Sequence, residues 1–390
     1  MARHRQTQSG SGAMSLTCKC VPRSEGVSAA ELVRLFPVPS ITAPLLALLH
    51  EAGIDGFTLR SIVVSRNDVP VLLLPLFETR FDLSLFVHGW IKKSLQAVGR
   101  IIPAFFHPRV LGVGLLEGEW SEIGVDPDID EATLQAAWHM ALAALQTLAE
   151  ELKSDVVVLY NFNQYGKLPG EAVKKFNQVR YRPCTRMSID FSTMEEYLGR
   201  LSRGAKKDVR RKMRVAGDVR VVRSRAITPF LDRIYTLYLK TVERSPMALG
   251  VHNRVFFEKV CDMIPGALYT LYFVQQELVA FNLLIVQQEA MLDIYFCMEY
   301  DLGRRYNLYV VSWLENVRTC VERKIPLYYV GQGTEKTKAH LGATLIPSSI
   351  YFKHRLPLFD SLLVKQPAAI SKILSRLRFW PRMEIHGHRN

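Results

Sequence analysis

Between residues 192 and 216, Met194, Tyr197, Leu198, Leu201, Ala205, Val209 and Met213 recur at spacings of three and four. This predicts one amphipathic helix whose apolar stripe packs on a core. Ser192 with Glu195 and Thr193 with Glu196 fit capping boxes at its start, and Gly217 stands where a helix commonly ends in a left-handed residue. Upstream, apolar runs predict strands at 58–65, 69–76 and near 110–116. A long helix at 130–152, a strand at 155–161, a helix around 169–177 and a strand at 186–191 follow. The second half repeats that order, with strands at 267–275, 278–287 and 291–300, a helix at 306–323, a strand at 327–331, a short helix at 335–341 and a strand at 348–354. The later corresponding elements are offset by roughly 160 to 175 residues, within the usual boundary error. Meandering strands followed by helix, strand, helix and strand describe a mixed α/β sheet with helices on its faces, and two such runs imply a duplicated domain. The expected organisation is a flexible leader at 1–25, a first domain at 26–186, a second at 187–365 and a basic amphipathic tail at 366–390.

Charge changes the picture of the 192–216 helix. Between Arg203 and Arg225 there are ten basic residues and two acidic ones, a large part of the formal net charge of +13. A charged face is ordinarily just a solvated face, but a helix kept soluble by charge mixes both signs at four-residue spacing, whereas this one holds like charges together. An anionic partner would relieve the repulsion: a cofactor phosphate, a nucleic acid or an anionic membrane. Lys206, Lys207, Arg210, Arg211 and Arg214 are the candidate anion-binding residues. In the tail, Lys372, Arg376, Arg378 and Arg382 intersperse with Leu374, Leu377, Phe379 and Trp380, which suits docking on its own domain or resting on a membrane surface.

With 390 residues, 48% hydrophobic and 22% charged, the chain has the balance of a folded protein of two domains. Its longest apolar runs fall short of the ~20 residues a membrane helix requires. The first twenty residues are polar and basic and do not read as an export signal. The six cysteines, Cys18, Cys20, Cys184, Cys261, Cys297 and Cys320, lie far apart apart from the first two, so neither a disulfide framework nor a metal site is expected, and a reducing cytoplasmic setting follows. No nucleophile elbow, phosphate loop or His-Glu-x-x-His motif is present.

Four segments carry a family resemblance. TRMSIDFSTMEEYLGRLSRGAKKDVRRKMRVAGDVRVV (185–222), DIYFCMEYDLGRRYNLYVVSWLENVRTCVERKIP (293–326) and GQGTEKTKAHLGA (331–343) make up the second half. VPVLLLPLFETRFDLS (69–84) with RVLGVGLLEGEWSEIG (109–124) represents the first. Over about residues 55–360 the sequence resembles the duplicated GNAT-fold acyltransferases of the Fem-related kind, including the acetyltransferase-like proteins of cellulose and peptidoglycan gene clusters. The resemblance implies two tandem GNAT-like domains and direct transfer of an acyl group from acyl-CoA, or from the phosphopantetheine of an acyl carrier protein, to an amine of a sugar, peptide or small metabolite. It also allows an aminoacyl-tRNA donor, in which the basic helix would track RNA, or a duplicated scaffold without catalysis. The acceptor would be a small molecule or a cell-envelope amine, and the protein cytoplasmic, resting at the inner face of the membrane where the tail makes contact.

GNAT enzymes usually hold the coenzyme A diphosphate on a glycine-rich turn that begins the helix after the central strand, where free N–H groups and the helix dipole favour an anion. Here that turn reads DLGRRYNLY, so Gly303, Arg304, Arg305 and Tyr306 are the expected phosphate-binding residues, with Lys338 matching the family lysine. Asp293 stands in an otherwise apolar, aromatic strand, where burial would raise its pKa towards that of a useful base. By the period of two, Asp293, Tyr295 and Glu299 share one face and line one cleft, with Tyr300 beside them; these four are the expected catalytic residues.

Overall fold

The computed structural model describes residues 15–37, 40–80, 107–118, 120–163, 168, 170–217, 219–244 and 250–355. The first part of the chain runs through β1 (Leu16–Pro22), α1 (Ala29–Leu35), α2 (Thr42–Ala52), β2 (Ile54–Asp55), β3 (Phe57–Arg66), β4 (Val69–Arg80), β5 (Arg109–Val113) and β6 (Gly124–Val125). It continues through α3 (Glu131–Glu151), β7 (Val156–Phe162), α4 (Gly170–Val173) and β8 (Asn177–Ser188). Then come α5 (Met194–Arg200), α6 (Arg203–Val215), β9 (Arg220–Ser224), a 3-10 turn (Thr228–Phe230), α7 (Leu231–Arg244), β10 (Val251–His252), α8 (Arg254–Met263), β11 (Ala267–Val274), β12 (Glu277–Val286) and β13 (Met291–Met298). The chain ends its described course with α9 (Tyr300–Arg305), α10 (Leu308–Arg323), β14 (Leu327–Gln332), α11 (Glu335–His340) and β15 (Thr344–His354).

Among the described residues, the first compact unit holds those up to 116, those in 120–179 and those from 349; the second holds 117, 118 and 180–348. In the first, the sheet order is β1-β3-β4-β5-β7-β15, antiparallel except for the parallel β5–β7 pair. In the second it is β9-β11-β12-β13-β14-β8, antiparallel except for the parallel β13–β14 pair. The two orders and directions match strand for strand, as duplication requires. Each sheet is nevertheless closed by a strand from the other half of the chain: β15 completes the first and β8 the second. The expected cut between 186 and 187 therefore falls inside a strand, and the units are interleaved rather than successive.

The first core packs α3, through Ala137, Trp138, Ala141, Leu145 and Leu148, on the central strands. Asp130 starts that helix by accepting from the Thr133 amide at 2.8 Å. The second core packs Ala205 and Val209 of α6 and Trp313 and Val317 of α10 against Met291 and Tyr328. On the opposite face of that sheet lie α7 and α8, whose Tyr238, Phe256 and Phe257 meet Phe281 and Tyr295.

Several expectations shift. Residues 16–22, assigned to a leader, form β1, paired along its length with β3; 1–14 and the tail 366–390 lie outside the described residues. The helix expected at 192–216 is two helices, because Leu201 turns to extended backbone and Ser202 caps afresh, accepting from the Ala205 amide at 3.2 Å. Gly217 does not adopt the left-handed conformation expected of it; the Ala216 amide instead closes the end on Met213. The strand expected at 186–191 starts earlier and ends at Ser188, and the helix expected at 306–323 starts after a break at Asn307.

Candidate active site

The parallel strands β13 and β14 pair at just two positions, Met291 with Tyr328 and Leu292 with Tyr329, and then part. In the first unit the equivalent strands β5 and β7 stay paired from Val110 with Val156 to Val113 with Leu159. The fork thus belongs to the second unit, and β13 bulges at its mouth. Leu284 faces Asp293 and Leu283 faces Tyr295, so Ile294 has no partner on β12. Asp293, Ile294 and Tyr295 keep partial solvent access in the middle of a central strand, while Leu292 and Phe296 around them are buried.

The extra residue overturns the expected shared face. Asp293 falls with Phe296 on the side of α10, where Phe296 meets Tyr309. Tyr295 turns to the side of α7 and α8. On its own side Asp293 accepts from Asn282 Nδ2 on both oxygens, at 2.9 and 3.1 Å, and from Asn316 Nδ2 and the Tyr328 hydroxyl at 3.1 Å each. The carboxylate thereby ties together β12, α10 and β14 around the fork. Burial pushes its pKa up to about 6, against the opposing pull of those donors and of the Lys338 charge.

Tyr295 donates to Glu117 Oε1 at 2.8 Å, and the same oxygen lies 2.7 Å from His252 Nε2. Burial first, and then the neighbouring Glu117, hold the Tyr295 pKa well above its ordinary value, so it remains a donor. Glu299 is held apart from this cluster by Lys240 at 2.7 Å and Arg233 at 3.3 Å, and the Lys240 bond lowers its pKa, which suits an ion-pair partner better than a base. The Tyr300 ring lies under the Arg244 guanidinium at 4.2 Å.

The DLGRRYNLY segment does not form an open glycine turn. It folds as α9, and the amides of Gly303, Tyr306 and Asn307 donate to Glu299, Leu302 and Arg304. Gly303 is there for space, since a Cβ would come within 2.2 Å of Met298 Sδ. Gly303→Val is accordingly expected to destabilise the second unit by about 1–3 kcal/mol, read by denaturant unfolding. Anion-binding capacity lies just beyond. Asn307 adopts the left-handed conformation, and no side chain caps the first turn of α10. Arg304 and Arg305 are exposed beside it, over the rings of Tyr300 and Tyr306 at 5.6 Å each. Lys338, expected to reach a phosphate, is buried instead. Its Nζ donates to the carbonyls of Val330, Gly331 (3.0 Å) and Gln332 (3.3 Å), fixing the end of β14 at the fork.

On α6, Asp208 engages Arg211 at 2.7 Å and the buried Lys212 at 2.6 Å. Among the described residues Lys206, Lys207, Arg210 and Arg214 make no ion pair, and the last three are exposed. Four members of this site escaped the sequence reading. Asn282 and Asn316 carry a weak signal, a lone amide in a buried apolar strand and helix. Glu117 and His252 carry none, because only the fold brings them to β13.

No family model matches the chain, and no curated protein matches it by sequence. Among solved structures, it is similar to the C-terminal domain of a candidate lysylphosphatidylglycerol synthetase from Agrobacterium fabrum, at 10% identity with a TM-score of 0.51, over 86% of this chain and 97% of that one. A tandem GNAT protein from the clavulanic acid biosynthesis pathway matches at 11% identity with a TM-score of 0.50, over 87% and 98%. At such identities the likeness is one of fold, and the fold is a mixed α/β tandem GNAT. Among the described residues no helix is long and apolar enough to cross a membrane, and no three metal-ligating side chains cluster.

Proposed function

We propose that the protein is a GNAT-type acyltransferase whose second unit moves an acyl group from a thioester or ester donor to an amine. The observation that carries this is the fork: β13 and β14 part after two residues, beside a bulge and a carboxylate, while the equivalent pair of the first unit stays closed, and its paired positions Val110–Val113 carry no ionisable side chain. In this reading the donor lies on the α10 side. Its phosphates would meet the uncapped first turn of α10 with Arg304 and Arg305, and the α6 cations extend the positive surface. The backbone of Ile294, which has no register partner on β12, would supply the N–H donor that a developing oxyanion needs. Asp293 serves as the positioning residue of the fork.

The donor we favour is acyl-CoA or the phosphopantetheine of an acyl carrier protein, with a small-molecule or envelope amine as acceptor. A Fem-like aminoacyl-tRNA donor is the second reading, favoured by the unpaired cations of α6 and by a fold neighbour named for lysylphosphatidylglycerol synthesis. Action at the inner face of the membrane, with 366–390 as the contact, belongs to the envelope version of the proposal. Thermal unfolding with acetyl-CoA, a long-chain acyl-CoA and bulk tRNA tests it. At about 100 times Kd a true donor adds about 2.7 kcal/mol and raises Tm by several degrees. A rise with a CoA ester supports the first reading and a salt-sensitive rise with tRNA the second. No rise with any of them returns the protein to a non-catalytic scaffold.

A further inference from the structure

Resting on the acyltransferase reading, we propose that Glu117 is the acceptor-side base of the second unit, held in place by His252 and Tyr295, and that it takes a primary ammonium as its substrate group. The groups best suited to an anionic donor gather around α10: its uncapped first turn, Arg304 and Arg305 just before it, and the exposed cations of α6, a helix whose other face packs with α10 through Ala205 and Val209. A donor entering there leaves the opposite face of the fork, that of α7 and α8, for the acceptor. The bulge turns Tyr295 to that face, and Tyr295 meets a carboxylate there. The side chain of Glu117 is 15% exposed. Its Oε1 takes both the Tyr295 hydroxyl and the His252 ring, and no described residue bonds its Oε2. A carboxylate with one oxygen anchored by two groups and the other open is arranged to receive a proton.

The second observation is His252. Its side chain is 2% exposed, stacked on Phe256 at 4.0 Å, and its Nδ1 is buried with no hydrogen-bond partner. With Nε2 engaged by Glu117, the unbonded Nδ1 is the ring atom left for a ligand. A buried polar atom with no protein partner, on the ring that anchors a half-open carboxylate, calls for a partner that the described residues do not supply. The Tyr238 hydroxyl, accepting from the His252 amide at 2.9 Å, fixes the backbone of β10 that carries the ring.

The chemistry balances on this one carboxylate. The acceptor ammonium gives a first proton to Glu117, which passes it to solvent. The freed lone pair forms the N–C bond to the acyl carbon. A second proton moves from nitrogen to Glu117 as the tetrahedral centre collapses, and the C–S or C–O bond breaks with its electron pair going to the leaving atom. Glu117 gives the second proton up to solvent and is ready again, the leaving atom takes a proton from solvent in turn, and nitrogen retains one hydrogen as an amide. Asp293, with donors on both oxygens and on the other face, is not placed for this task.

Two measurements test the proposal. In the first, n-butylamine and glycinamide, with n-butanol as the uncharged control, are titrated against the donor-free protein at low ionic strength and Tm is recorded. The amines should raise Tm for the natural protein and not for Glu117→Gln, with n-butanol silent for both. Equal rises for the two proteins overturn the proposal, whatever the donor proves to be. In the second, with the donor that binds, Glu117→Gln should lower amine-dependent transfer about 100-fold or more while the donor Kd stays within about twofold. Tyr295→Phe and His252→Gln should lower kcat about fivefold to tenfold with donor Kd likewise unchanged. Unchanged transfer in Glu117→Gln, or loss of donor binding in step with transfer, overturns it. If no donor binds at all, the acyltransferase reading falls on its own, and the amine titration still decides whether Glu117 holds an ammonium.

Discussion

Asp293→Asn is expected to lower turnover about 100-fold while leaving the donor Kd within about threefold, and at the same time to gain stability relative to the natural protein as pH rises from 4 to 8. The two halves of this result have one cause. In the folded protein the Asp293 pKa stands near 6 against an ordinary 3.8, because burial disfavours the ionised form more than Asn282, Tyr328, Asn316 and Lys338 favour it. A folded pKa above the unfolded one means the group favours folding only while protonated. That contribution is complete below about pH 4 and is lost as pH rises through about 6, after which the fold carries a buried charge at a cost of up to roughly 3 kcal/mol. The amide removes the charge but leaves some of those donors unmet, so the Tm of the variant relative to the natural protein should shift upward by a few degrees between pH 4 and pH 8. The same change weakens the grip of the carboxylate on β12, α10 and β14, and misplaces the bulge that faces the reacting carbonyl. Thiol release from an acyl-CoA with its amine acceptor reads turnover, and calorimetric titration reads affinity. Equal loss of both would make Asp293 a residue of architecture alone.

Reversing the exposed face of α6, with Lys207→Glu, Arg210→Glu and Arg214→Glu combined, is expected to weaken donor binding at least tenfold at about 0.15 M salt without lowering Tm. None of the three makes an ion pair or enters the core of the described residues, so the fold loses nothing by the exchange. The size of the effect separates the donors. For an RNA, each phosphate contact removed should flatten the dependence of log K on log salt by about 0.7 to 0.9, so three should reduce the slope by about 2. For a CoA ester the main loss should come from Arg304→Ala with Arg305→Ala beside the first turn of α10, and the α6 variant should act mostly through long-range attraction. Unchanged binding in both sets of variants would leave α6 a solvated surface.

The amphipathic and alternating patterns made most of the second sheet legible: β11, β12, β13 and β14 fall within a few residues of where the hydrophobic runs place them. What period-two reasoning could not show is a bulge. One residue, Ile294, moves Tyr295 to the face opposite Asp293, and nothing in MLDIYFCM marks the insertion. Lys338 reads from sequence as a lysine reaching for a phosphate from a short polar helix, because the carbonyls of β14 that bury it lie across a turn. Gly303 looked like part of a phosphate turn and is a packing glycine under Met298. Residues 16–22 are polar enough to pass for a leader, yet a strand at a sheet edge needs few apolar positions when β3 supplies the ladder. Glu117 lies far from β13 in the chain, and no local pattern could have paired it with Tyr295.

The central claim is that the donor seats in the fork of the second unit. Amide hydrogen exchange, followed by mass spectrometry with and without whichever donor raises Tm, tests it most directly. Protection is expected at 291–298 and at 306–312, with the strands at 109–113 and 156–162 exchanging as before. Protection confined to those first-unit strands, with 291–312 unchanged under saturating donor, would contradict it.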